Sequence, residues 1–394
     1  MKFEKFKYYT LAFVEGFLVM TFELLAARIL APHFGNSIYV WSSVLGMTMG
    51  SLLLGYFLGG RIVKMGKYQS LPILFLMISC LLLVIYPSFG YVIGHYLVKF
   101  PIVSGSILSS AYLLLIPLIL LGSVSTQLIQ RIAEMNILAG TSAGNIYAIS
   151  TLGGVIGTFL IGLYMIPTQG IKSTALSIGM ILLILIIVLG VFNGLKIRIV
   201  GVIVPLFLIS ALLSSYFSIE NTLNYDFAKI KYSNDGMMGK LEVYSFPDST
   251  EVVLNNGAIQ SKIWKNSSNS TLLYSHVIAT ISSYIPREER NNSLVIGLAA
   301  GSIVQELIKL NYKNVIAVDV DSRTQYISEQ FCGLNSDSYK FMEDDGRHYL
   351  AKTKNKFDLI ILDVSAGDHQ PYHLYTLEAF DLYKSKLTEN GILI

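Results

Sequence analysis

The sequence predicts a multi-pass α-helical membrane domain, then a small β-hairpin region, then an α/β Rossmann-like domain. Three observations predict it. Over residues 1–217, apolar runs recur at about twenty residues each, the length that crosses the roughly 30 Å hydrocarbon core as helix. Charge divides the chain at the same place. Of 29 Lys and Arg and 26 Asp and Glu, residues 1–217 hold 12 basic residues, 4 Glu and no Asp, which leaves 17 basic and 22 acidic residues in 218–394. Beyond about residue 290, buried-type strands alternate with helical stretches, the pattern of a parallel sheet covered on both faces. The domains read as 1–217, 218–265 and 266–394.

Seven stretches suit membrane helices: 9–30, 38–60, 70–87, 105–127, 145–166, 174–193 and 198–217. With 53% hydrophobic residues and a mean hydropathy of +0.56, the chain is too apolar for one soluble domain and belongs in a cell membrane, its lipid bilayer serving as solvent for the first half. A signal peptide is a poor reading of the first run, which is long, carries Glu15 and Glu23 and is followed by further runs. Glycines at 46 and 50, 55 and 59, and 153 and 157 put small residues on single helix faces where backbones can approach. Glu23 reads equally as a structural group and as a cation site, and Arg28 as a snorkelling end residue. Lys2, Lys5 and Lys7, with Arg61, Lys64 and Lys67, argue for an inside N-terminus. Seven passes would then leave the second half outside, where a nucleotide-derived ligand is not expected. The stretch 87–101 is where another or re-entrant pass could hide.

The second half has no basic surplus with which to hold nucleic acid. Alternating runs at 239–246 and 251–263, joined by Pro247-Asp248-Ser249, read as a β-hairpin. Strands follow at 293–298, 314–320, 339–344 and 357–364, with helices at 302–310 and 322–330. The chain closes on Gly391-Ile392-Leu393-Ile394, which reads as a fifth strand cut off at its last residue. Cys80 and Cys332 read as fillers, and the sequence calls for no metal.

In such a sheet, ligands lie at the carboxyl ends of the strands. The first strand ends in Gly297-Leu298-Ala299-Ala300-Gly301-Ser302, a glycine turn leading to a helix whose free amides can meet a ligand. The second ends at Asp319, suited to the hydroxyls of a ribose, the third at Asp344-Asp345-Gly346 beside an adenine amino group, and the fourth at Asp363. Acidic residues at three successive strand ends point to a nucleoside site rather than to a core.

These motifs, in this order, resemble the spermidine synthase family of polyamine aminopropyltransferases, in the form fused behind transporter-like membrane spans. The resemblance runs from about Gly239 to the end and is carried by GAIQ at 257–260, YSH at 274–276, VIGLAAGS at 295–302, VDVD at 318–321, DDGRHYL at 344–350 and FDLIILDVSAGD at 357–368. ELLAARILAPHFG at 23–35 and GNIYAISTLGGVIG at 144–157 are similar to the spans of such fused proteins. It implies a Rossmann-like fold of the methyltransferase type and transfer of an aminopropyl group from decarboxylated S-adenosylmethionine, as co-substrate, to a polyamine such as putrescine.

By position, the resemblance assigns Asp363 and Tyr274 to catalysis. Gln260, Gly297, Gly301, Asp319, Asp345 and Gly346 would hold the donor, and Tyr274 and Asp368 the acceptor. The chemistry suits those residue types, because an alkylammonium near pKa 10 becomes a nucleophile only when a carboxylate takes its proton. Two places depart from the family: Ala300 and Ala366 stand where it carries amine-binding aspartates. A methyltransferase of the same fold and a non-catalytic polyamine sensor or transporter are the alternatives, and a homo-oligomer stays open.

Overall fold

A computed structural model describes every residue except 1, 36–37, 67–69, 136, 192–196, 221–227, 237, 266–268 and 365–370. The chain divides into two compact units, Met1–Leu223 and Asn224–Ile394. The first is helical, with α1 (Lys2–Phe34), α2 (Ile38–Lys64), α3 (Leu71–Leu97), α4 (Ile102–Ala133), α5 (Ala139–Phe159), α6 (Ile166–Val191) and α7 (Ile197–Glu220). Each of the seven apolar stretches overlaps one of these helices. A π-helical turn at Leu160–Met165 links α5 to α6.

Among the described residues, five runs are long and apolar enough to cross a membrane by length and composition: Glu4–Phe34, Ile38–Lys64, Leu71–Gly90, Ile102–Ala133 and Ala139–Val191. The last, 53 residues long, would extend about 80 Å as one continuous helix, more than two crossings need. Gly170 breaks it, at φ 78° and ψ 173°. Residues 87–101 hold no additional pass: α3 continues to Leu97 and α4 begins at Ile102.

Helix α1 is the hub of this unit. It is buried nearly all round, from Leu11, Val14 and Leu18 to Phe22, Leu25 and Leu30. Small residues let two neighbouring pairs of backbones close. A Cβ on Gly153 of α5 would lie 2.1 Å from the Phe13 carbonyl oxygen of α1, and one on Gly55 of α2 would lie 2.5 Å from the Ile119 carbonyl oxygen of α4. Gly46 and Gly50 have nothing within 4 Å, so that third glycine pair faces outward and is not a packing seam. The outward face of α2 is otherwise apolar, with Leu45, Met49, Leu53 and Phe57 exposed.

The second unit opens with β1 (Lys229–Gly236), β2 (Gly239–Ser245), β3 (Thr250–Asn255) and β4 (Ala258–Trp264), an antiparallel sheet in that order. The turn at 247–249 joins β2 to β3, and Asp248 Oδ1 accepts the Thr250 amide at 3.0 Å. The run 251–263, which reads as a single strand, is two. Asn256 (φ 49°) and Gly257 (φ 82°) turn it back in the doubly left-handed conformation that Asn-Gly favours.

There follow α8 (Leu273–Ser282), β5 (Asn292–Ile296), α9 (Ser302–Lys309), β6 (Asn314–Asp319), α10 (Arg323–Gln330), β7 (Lys340–Glu343), α11 (Gly346–Lys352), β8 (Phe357–Leu362), α12 (Leu377–Lys386) and β9 (Leu387–Leu393). The strands form a parallel sheet in the order β7-β6-β5-β8-β9. The order reverses between β5 and β8, the switch point where such sheets open a crevice.

Val295, Val304, Leu307 and Leu359 fill one face, and Leu294, Ile296, Leu350 and Tyr383 the other. Leu241, Val243, Val253, Ile263, Ala300, Ile327 and Cys332 form a third cluster that seals the small sheet onto the parallel one. Arg323 reinforces this seam. It pairs with Asp321 at 2.6 Å and donates to the Asn234 and Gly239 carbonyls at 2.8 and 2.9 Å.

The glycine contacts yield a stability prediction. Gly153→Val should lower the unfolding free energy of the full chain in detergent by about 1–3 kcal/mol through overpacking against α1. Gly46→Val should change it by less than about 0.5 kcal/mol, the usual range for an unpacked surface position. Denaturant melts of the two variants beside the parent check this, and equal losses would refute the α1–α5 seam.

Candidate functional site

The switch point brings two chain segments unusually close. The Gly297 amide donates to the Val318 carbonyl at 2.8 Å, and the Asp363 amide to Ile296 at 2.8 Å. A Cβ on Gly297 would lie 2.0 Å from the Asp363 carbonyl oxygen, and its φ of 97° is one that L side chains rarely adopt. Glycine is required there twice over. The turn continues through Ala299 (φ 46°) to Gly301 (φ 76°), whose missing side chain leaves room for Leu334. Helix α9 then starts at Ser302, with its first amides facing the crevice end of the sheet.

Asp319 closes β6 and ties the turn in place. One carboxylate oxygen accepts the Leu298 amide at 2.9 Å, the other the Asp321 amide at 3.0 Å. Burial, against the pull of these amides, raises its pKa. Asp345 caps α11, accepting the Arg347 and His348 amides at 3.0 Å on Oδ1, while His373 Nε2 meets Oδ2 at 2.7 Å. Burial would push this carboxyl up, but the His373 contact and the two amides outweigh it and hold it below its usual range. Gly346 has a packing reason: its Cβ would lie 2.3 Å from Ile296 Cγ2.

Asp363 follows β8 at the switch point. Burial first, then the nearby Asp319 charge, push its carboxyl up to about 6, with the Tyr274 hydroxyl close by and pulling the other way. Tyr274, in the first turn of α8, also reaches Ser261 of β4, and its phenol is pushed up to about 12 by burial and by the Asp363 charge. Gln260 stands half-buried beside Ser261. The β3–β4 register slips between Val253 and Leu254, opposite Gln260, so it is the extra residue of a bulge, a device that re-aims a side chain.

Asp319, Asp363, Tyr274 and the Gly297–Gly301 turn are therefore one constellation, while Asp345 lies further along the same sheet edge, with His373. Asp368 and Ala366 lie outside the described residues. Ala300 is fully buried in the apolar seam with Val253, Ile327 and Cys332, facing packing rather than the crevice. Sequence reading missed Ser261, Tyr375 and His373. Burial and the Asp363 charge raise the Tyr375 pKa, which puts this phenol near the same carboxylate. None of the three lies at a strand end, so nothing in local pattern marks them. His373 and Tyr375 sit in a Tyr-His-Leu-Tyr run that a search for polar aromatics after the fourth strand could have found.

Residues 272–394 match the spermine/spermidine synthase domain. Among curated proteins, a polyamine aminopropyltransferase of Thermoplasma acidophilum is 21% identical over 160 residues, covering 39% of this chain and 57% of that protein. One from Hydrogenobaculum is 24% identical over 176 residues, covering 43% and 61%. The chain thus spans roughly three-fifths of the length of these relatives. Among solved structures, spermidine synthase from Thermotoga maritima aligns with a TM-score of 0.36 at 21% identity, over 42% of this chain and 56% of that one. Over residues 272–394, then, the chain is similar to the spermine/spermidine synthase domain, the family that its motifs resemble.

Proposed function

We propose that this chain is a membrane-anchored aminopropyltransferase that moves an aminopropyl group from decarboxylated S-adenosylmethionine to an amine such as putrescine. The observation that carries the reading is Asp363: a desolvated carboxylate at the switch point, within reach of Tyr274 and next to the nucleoside-type carboxylate Asp319. The domain match over 272–394 supports the chemical class. The apolar outward face of the helical unit, with Glu15 and Glu23 turned inward, supports the bilayer.

In this reading Asp319 accepts the ribose hydroxyls with the lone pairs its two amide bonds leave open. Asp345 Oδ2 keeps a lone pair beside His373 for an adenine amino group. Gln260 reaches the donor, and Gly297 and Gly301 let backbone approach it. Asp363 takes a proton from the acceptor ammonium, and Tyr274 orients that nitrogen. The freed amine attacks the propyl carbon, the carbon–sulfur bond breaks and its electron pair neutralises the sulfonium, releasing methylthioadenosine. The sulfonium needs no acid to depart, so positioning supplies much of the rate. Asp368 would bind the acceptor's far amine.

The burial of Ala300 in the apolar seam favours one alternative. With no carboxylate at that place to attract a donor amine or repel a donor carboxylate, S-adenosylmethionine itself stays acceptable, and the product would be a methylated amine.

Three measurements test the site. Calorimetry on full-length protein in detergent should show methylthioadenosine bound, and Asp319→Ala should weaken it by about 1.5–3 kcal/mol through lost hydrogen bonds to a charged group. Unchanged affinity would remove the ribose assignment.

Offered each donor with a panel of diamines, the protein should give aminopropyl adducts by mass from the decarboxylated donor alone. Asp363→Asn should slow this by about 10² to 10⁴-fold while leaving nucleoside binding intact. Methylated product selects the alternative, and silence with both donors counts against transfer.

The third is a pH series. A folded-state pKa raised from 3.8 to about 6 means the native protein holds the Asp363 proton more tightly than the unfolded chain. The stability this gives is full below pH 3.8 and is lost as pH rises through about 6. Asp363→Asn should therefore gain stability over the parent as pH climbs across that window and hold a constant advantage above it. A difference that does not vary with pH would show that the carboxyl is not desolvated.

A further inference from the structure

Two carboxylates of α1 lie inside the helical unit with no use in the transfer chemistry. Glu15 is 2% and Glu23 8% exposed, and among the described residues neither forms an ion pair with a lysine, arginine or histidine. Eight residues separate them, two helical turns or about 12 Å along the axis.

Each has a small hydroxyl side chain from a neighbouring helix. Glu15 Oε2 accepts from Ser150 Oγ of α5 at 2.6 Å, with Ser125 of α4 beside it. Glu23 is faced by Thr48 of α2. The Thr48 hydroxyl is 3% exposed and makes no hydrogen bond of its own. One turn further along α2, the Ser51 hydroxyl is fully buried and equally unpartnered. Tyr56 of α2 lies near Glu15, so α2 runs antiparallel to α1 and carries Ser51 past the interval between the two acids. Tyr56, backed by the Tyr147 ring, is the other titratable group facing Glu15; the groups facing it from α4 and α5 are neutral.

An unpaired carboxylate in an apolar bundle persists only if something neutralises it. Leaving a buried hydroxyl without a partner is unfavourable, so Thr48 and Ser51 point to an interaction made in another protonation state. A divalent metal ion would need six or so oxygens in one shell, and these polar groups are strung along the helices instead. The void beside Phe22, Leu25, Ile29 and Tyr86 is apolar and includes none of them. A proton needs one oxygen to occupy and another to move toward, which a carboxylate and a hydroxyl supply.

We propose that Glu15 and Glu23, with Thr48 and Ser51 between them, bind and exchange protons inside the helical unit, as a proton-coupled carrier requires. The inference rests on the reading of that unit as membrane-spanning and is independent of the transferase reading, so absent turnover leaves it standing.

Infrared difference spectroscopy on the full chain in liposomes, titrated with acid and base, tests it through the carbonyl stretch of protonated carboxyl groups. The parent should show a titrating signal that loses one component in Glu23→Gln, another in Glu15→Gln and both in the double variant. Thr48→Val, a near-isosteric change, should shift the Glu23 component without removing it. Identical spectra for the parent and the double variant would overturn the proposal. So would a component that answers to added sodium at constant pH, which would make the ligand an alkali ion.

Discussion

The second unit of this molecule depends on one close approach: the Gly297 backbone passes the Asp363 carbonyl where a Cβ would lie 2.0 Å from that oxygen. The contact fixes the end of β5 against the end of β8, and so decides where the switch-point crevice opens. From it follow the left-handed turn through Ala299 and Gly301, the start of α9 and the Leu298 amide aimed at Asp319. The same approach brings Asp363 near the Asp319 charge, and this proximity, added to burial, raises the Asp363 carboxyl toward the range useful for a base.

Both units solve the problem of a carboxylate in apolar surroundings, and they solve it differently. In the second unit backbone amides do most of the work: two serve Asp319 and two serve Asp345, with His373 added on the latter. Helix termini and strand ends supply such amides freely. In the interior of α1 the backbone amides around Glu15 and Glu23 are committed to the helix, so these acids can turn only to side chains of neighbouring helices, and those available are small hydroxyls. A carboxylate so poorly compensated is a more responsive group than one capped by amides.

The small sheet is more than a lid. Its inner face shares a core with Ala300, Ile327 and Cys332, and Arg323 of α10 reaches two of its carbonyls. Ser261 of β4 is thereby held beside Tyr274 of α8. Asp321, which a reading of VDVD alone would add to the ligand site, is instead committed to Arg323.

The sequence by itself determined the broad plan, because the signals that write it are local and periodic: twenty-residue apolar runs, a division of charge, and strands alternating with helices. It also marked Gly297, Asp319, Asp345 and Asp363, since a strand end is recognisable without knowing what lies across from it. The Asn256-Gly257 turn, by contrast, went unread, because the alternating run 251–263 continues across it and conceals a second hairpin. Only the tertiary structure decided which acids meet. The proximity of Asp363 to Tyr274 and Tyr375, that of Tyr274 to Ser261, the coupling of His373 to Asp345 and the burial of Ala300 in a seam are contacts between residues distant in sequence, and no spacing encodes them. The glycine pairs make the same point: 46 and 50 carry the same four-residue spacing as 153 and 157, yet only the second pair meets another backbone, because spacing defines a helix face and packing alone decides what that face touches.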